Sequence, residues 1–288
     1  MKKLLLLFLP LSLVFSAEPS KELPVENSFV DFKSIRNVLK KDGLDKIVKN
    51  KIENRKVIEK KKVDISKRLY ELPTDQDFWK IILDFWLVQN TGVLKWDFHK
   101  PDYGITDYFS SFLREVSEFG VKYNILFLNT TNLTHFAFPY GKNEYLFIVS
   151  VPFIKIMDLS KLQISILLYE DLLRVKNKQF ESMIDPSLTS NIKNGNFYKK
   201  IFPKKKIHDL LSRIDFIVYD KGFDFQQQYL VTKQMKTILN NNKKYWQNYF
   251  VLLTKIDDLT KGNLMYKNYA KIYPSPELQL NWINPTKN

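Results

Sequence analysis

Apolar residues recur along this chain in several rhythms. Between residues 31 and 70, Val38, Leu44, Ile47, Val48, Ile52, Val57, Ile58, Val63 and Ile65 stand at roughly helical spacing among charged neighbours. With Gly43 as a break, this predicts two helices. Asp75–Gln89 (DQDFWKIILDFWLVQ) predicts a buried helix with Asp75 as its N-cap. A further helix is predicted over residues 107–119, ended by Gly120. Residues 123–129 (YNILFLN) and 144–151 (EYLFIVSV) have strand composition. The stretch between them contains Thr134-His135-Phe136-Ala137-Phe138-Pro139-Tyr140-Gly141, and Pro152 marks the turn from the second strand to the next element. Residues 154–157 then lead into a long apolar helix running from Ser160 to about Gln179. There is no internal repeat and no low-complexity linker, only a lysine-rich loop at residues 199–206.

The first residues have a different character. Met1-Lys2-Lys3 is a short positive region, residues 4–14 are apolar, and small residues follow ahead of Glu18-Pro19. That is the form of a secretory signal peptide, too short to span a bilayer comfortably. Val14 and Ser16 fit the cleavage positions best, which places the cut after Ser16, with Ala17 as the alternative. The expected division is a signal peptide over residues 1–16, a basic helical segment over 17–70 and a main domain over 71–288. No later run reaches membrane-spanning length without a charge, so the mature chain is expected to be exported and soluble, in a bacterial periplasm or outside the cell.

Composition narrows the chemistry. With 288 residues, 44% of them hydrophobic, the chain can bury a sizeable core without crosslinks. It has no cysteine, which excludes disulfides, thiol nucleophiles, thiolate zinc sites and iron–sulfur clusters. Eight glycines leave little for phosphate-cradling loops, and no Gly-x-Ser-x-Gly elbow or EF-hand loop occurs. The net charge of +14 is uneven: residues 31–70 carry fourteen Lys or Arg against six Asp or Glu, a surplus of eight. This segment reads first as a solvated helical pair with its apolar stripe on the main domain. The other reading is a surface for anionic lipid or cell-wall polymer. Stacking aromatics do not interleave the basic residues, so nucleic acid is not expected as a partner.

The three histidines, His99, His135 and His208, show no i, i+4 pairing. Glu170 and Asp171 are adjacent on the predicted helix and point in different directions, so they make no facing carboxylate pair within it.

Four separated pieces together resemble the M48 class of zinc metallopeptidases, which includes the CAAX prenyl proteases. They are Thr134-His135-Phe136-Ala137-Phe138-Pro139-Tyr140-Gly141, which the resemblance makes a turn before a strand, and Tyr169-Glu170-Asp171-Leu172-Leu173-Arg174-Val175 on a long helix. The others are Phe225-Gln226-Gln227-Gln228-Tyr229-Leu230 and Tyr273-Pro274-Ser275-Pro276-Glu277-Leu278-Gln279-Leu280. The resemblance implies a mainly helical α+β, zincin-like fold with a small β-sheet. It also implies three zinc ligands, and the positions matching them are Tyr169, Leu173 and Gln226, none a good zinc ligand. Glu170 matches the general base. The expectation is a catalytically inactive peptidase-like protein without zinc, Glu170 being vestigial. Its cleft would be bordered by His135, Phe136, Ala137, Phe138, Tyr145, Phe147 and Gln228, with residues 145–151 as an edge strand for an extended peptide. The expected partner is a peptide or envelope protein. An active metallopeptidase with a rebuilt zinc site, and a basic module for anionic lipid or cell-wall polymer, stand as alternatives.

Overall fold

The computed structural model describes residues 44–68, 75–95, 102–193 and 203–283, with residues 33 and 36–38. The expected signal peptide, Gly43 and residues 199–202 lie outside the described residues. The chain divides into two units, residues 1–62 and 63–288. The first holds most of helix α1 (Leu44–Arg68), one continuous helix across the region where most of the basic surplus lies. Its Ile47, Ile52, Val57 and Ile58 are exposed.

The second unit begins its core with α2 (Asp75–Gln89), whose bounds are those the apolar pattern predicts; Asp75 is its first residue rather than its cap. Helix α3 (Ile105–Glu115) starts and ends earlier than expected, and Gly120 takes a left-handed φ of 69° beyond it. Three strands follow: β1 (Lys122–Leu128), β2 (His135–Gly141) and β3 (Glu144–Ser150). They form a mixed sheet in the order β1-β3-β2, with β1 parallel and β2 antiparallel to β3.

The sheet corrects two expectations. Residues 135–141 are a strand, not a turn. Pro139 is tolerated there because β2 pairs on one side only, and an edge position spares the missing N–H. The chain reverses instead at Lys142-Asn143, Asn143 adopting φ 53° and donating from its side chain to the carbonyl of Gly120. Residues 145–151 are not an edge: β3 is the central strand, hydrogen-bonded on both sides, so no added peptide can pair with it.

Helix α4 (Lys161–Lys176) runs through the middle of the unit, packed on α3, β2, α6 (Phe225–Leu239) and α7 (Lys243–Gly262). Every residue from Leu162 to Val175 is buried, so it has no solvent face for its charged side chains. Its start is a capping box: Ser160 accepts from the backbone N–H of Gln163, and Gln163 accepts from that of Ser160. Removing the cap by Ser160→Ala should cost about 1 kcal/mol in a urea melt, with the fold retained.

Around this helix the layers are aromatic. Phe136 and Phe138 of β2 meet Phe180, and Phe138 meets Trp86 of α2 at 5.3 Å. The Trp86 indole donates to Asp215 (2.7 Å) of α5 (Lys204–Phe216), tying α2 to α5. A π-helical turn (Ile217–Lys221) leads to Gly222 and α6, and α8 (Pro276–Ile283) closes the unit. The molecule is thus mostly helical with a small mixed sheet, an α+β arrangement. No described helix is long and apolar enough to cross a membrane.

Candidate functional site

A helix buried on every side has to satisfy any charge it carries from its neighbours. Glu170, Asp171 and Arg174 of α4 are 3, 1 and 3% exposed. Arg174 lies one turn beyond the two acids, at i+4 and i+3. Its guanidinium donates from Nη2 to Glu170 Oε1 at 2.5 Å and from Nη1 to Asp171 Oδ1 at 2.6 Å, so one cation bridges both carboxyls.

Two other helices complete the cluster. Gln228 of α6 is fully buried; its amide oxygen accepts from Arg174 at 2.8 Å and its nitrogen donates to Glu170 at 2.8 Å. Gln279 of α8 donates to the same Glu170 oxygen at 3.0 Å, and Thr232 of α6 lies 3.3 Å from both amide nitrogens. Glu170 Oε1 therefore accepts three bonds.

Strand β2 and the segment after α7 supply the other side. His135 Nδ1 is 2.7 Å from Asp171 Oδ2, and its Nε2 is 3.3 Å from the Tyr269 hydroxyl. The tautomer with its proton on Nδ1 satisfies both contacts, donating to the carboxylate and accepting from the phenol. The Tyr273 ring stacks on His135 at 4.3 Å, and its hydroxyl donates to the His135 carbonyl at 2.7 Å. Arg174 lies over the rings of Tyr273 (4.8 Å) and Phe223 (5.3 Å).

The electrostatics follow from burial and pairing. Burial works against the charged guanidinium, but Glu170 and then Asp171 outweigh it and hold the pKa of Arg174 above its ordinary value. Burial raises the pKa of Tyr269, Tyr273 and Tyr249, helped by the acids of the cluster, so these phenols stay neutral.

The residues expected at a zinc site do not converge. Tyr169 turns to α3, its ring edge-to-face with Phe112 at 5.6 Å and its hydroxyl 3.4 Å from Glu118; burial, then the Glu118 charge, raises its pKa. Leu173 is buried, and Gln226 is exposed on the outer side of α6. The side chains that do converge, an i, i+4 pair on α4 and a third from α6, are Glu170, Arg174 and Gln228. That is the spacing by which a two-histidine helix holds zinc, displaced by one residue on α4 and two on α6 from the positions expected. The donor set does not fit zinc: the second position is itself a cation, and the acid and amide are bonded to it. Among the described residues, no group of three His, Cys, Asp or Glu is placed to hold a metal.

The expected cleft is closed as well. His135, Phe136, Ala137, Phe138, Phe147 and Gln228 are all buried, because α2 covers β2 from one side and α4 from another. Tyr145 alone reaches the surface, beside a shallow depression with Pro139 and Gly141. Glu170, Asp171, Arg174 and His135 line none of the described surface cavities. Arg174, Asp171, Gln279, Tyr269 and Tyr273 were missed as members of one site. The available signal was local: two acids and an arginine, i, i+3 and i+4, on a helix with no polar face. No family model, curated protein or solved structure matches the chain.

Proposed function

We propose that this chain is an exported, catalytically inactive protein on a zinc-peptidase-like framework, and that it binds a peptide or protein partner in the cell envelope. The observation that carries the reading is the bridge from Arg174 to Glu170, Asp171 and Gln228. A guanidinium seated between the helices does not activate water, and Glu170 is turned from acting as a base to neutralising it. The framework then serves to present surfaces, which suits a binding protein. The sequence features at residues 1–16 support the exported compartment.

The test joins metal content to turnover. Purified mature chain, made without a metal-binding tag, is expected to retain well under one equivalent of zinc after mild dialysis. With zinc added back, it should leave unfolded casein intact over a day while binding it saturably. One tightly held equivalent, or cleavage that Glu170→Gln abolishes, would return the chain to the active peptidases.

A further inference from the structure

Helices α6 and α8 leave a groove of about 500 Å³ between them on the outer side of the buried cluster, within the size range of ligand sites. One stripe of α6 forms its long wall, and Trp282 and Ile283 of α8 form the other. Thr232, 1% exposed, is its floor and bonds on its inner side to Gln228 and Gln279. The groove is thus backed by the hydrogen-bonded cluster around Glu170.

Its lining is selective. Lys233 and Lys236 present two ammonium groups, and no acidic residue lines the groove. Neither lysine makes an ion pair among the described residues. The dipole at the end of α6 favours a cation at Lys236, in the last turn, and leaves Lys233 unexplained. At the other end, Tyr229 and Trp282 meet edge-to-face, with centroids 5.3 Å apart and planes at 87°, and Tyr229 is 49% exposed. The two rings make a corner, which fits an inserted apolar side chain better than a sugar ring lying flat on a platform.

From these features we infer that the groove between α6 and α8 binds an acidic peptide segment in extended form. The inference rests on the peptide-binding reading above and gives it a site. Spacing sets the motif. Along a helix rising 1.5 Å per residue, Lys233 and Lys236 lie about 6 and 10 Å from Tyr229. An extended peptide advances about 3.3 Å per residue and turns every second side chain to the same face. An apolar side chain in the corner therefore brings the second residue after it, about 7 Å on, opposite Lys233, and the fourth, about 13 Å on, within reach of the Lys236 side chain. The favoured segment is apolar-x-acidic-x-acidic, read in either direction. Thr237 and Asn240 stand beside the lysines to bond its main chain.

Fluorescein-labelled peptides containing Phe-Ser-Glu-Ser-Glu or its reverse, their Gln-Gln counterparts with both acids replaced, and heparin as an anionic glycan are titrated against the full chain by anisotropy. At least one acidic peptide should bind saturably, and its Gln-Gln counterpart about tenfold or more weakly, the scale of a lost charge-assisted bond. The double variant Lys233→Gln, Lys236→Gln should lose the acidic preference. Trp282→Ala should weaken binding several-fold, with Trp282→Phe restoring part of it; melting curves check that each variant folds. If an acidic peptide binds equally well to the double variant, the groove is not its site, although the peptide-binding reading stands. Equal affinity for the Gln-Gln peptides, or binding of heparin alone, overturns the inference. If none of the peptides binds and casein is not bound either, the peptide-binding reading falls with it.

Discussion

Arg174→Met is expected to lower stability by about 3–5 kcal/mol, the loss typical when one member of a buried ion pair is removed and its partners stay uncompensated. Methionine fills much of the same space, so the loss comes from charge and hydrogen bonds rather than from a cavity. Two carboxyls, 1–3% exposed, would be left without the cation that bridges them, and the Gln228 amide oxygen without its donor. At about 2–4 °C per kcal/mol for a domain of this size, Tm should fall by roughly 6–20 °C. Glu170→Gln should cost less, about 1–3 kcal/mol, because Asp171 still pairs with the guanidinium. Removing Glu170, Asp171 and Arg174 together for apolar residues should cost less than removing the arginine alone. Urea melts of the variants give the order. An Arg174→Met protein at least as stable as Glu170→Gln would mean that the arginine is not what holds the cluster.

Gly222→Ala is the second large effect expected. Gly222 has φ 59° and ψ −158°, a region open essentially to glycine alone and worth about 1–3 kcal/mol of strain to any other residue. Space is also lacking: a Cβ there would lie 2.2 Å from the Cα and carbonyl oxygen of Ile272. Those atoms are backbone, held by a 2.8 Å bond from the Phe223 N–H to the Ile272 carbonyl, and cannot rotate away. Making room would push Tyr269 and Tyr273 off His135 and Arg174. The combined cost should exceed about 3 kcal/mol, adding a clash to the strain. Gly92→Ala is the control, since a Cβ there meets nothing within 4 Å in a short helix; it should be neutral or slightly stabilising. Equal melting curves for the two variants would refute the steric argument.

The fold was legible where local pattern and packing agree. The bounds of α2, the cores of β1 and β3 and the Ser160 start of α4 follow from apolar spacing and strand composition alone. Strand β2 was misread because the resemblance makes residues 134–141 a turn, and Pro139 and Gly141 do nothing locally to oppose it. Only its pairing with β3 reveals an edge strand, and pairing is a property of two segments. The same limit hid the cluster. Glu170 was singled out for its likeness to a catalytic base, but its partners Gln228 and Gln279 lie 58 and 109 positions away. Choosing ligand positions by likeness pointed to Tyr169 and Gln226, which face other ways; asking what could satisfy a buried Arg174 would have pointed to its own helix.

The long sequence separations within the cluster also bear on how the chain comes to be folded. His135 must wait for Tyr273, 138 positions later, and Glu170 for Gln279. While the polypeptide is delivered from its N-terminal end, α4 can pair its own acids and arginine and meet His135 and then Gln228, but the Gln279 bond to Glu170 remains unmade until α8 arrives. Contacts this distant slow folding and leave the bonding of Glu170 incomplete in the interval. The last described helix therefore acts as the latch of the cluster. A nascent or clipped chain lacking it would bare the faces of α6 and α7 that α8 covers, the kind of surface that chaperones hold and proteases cut.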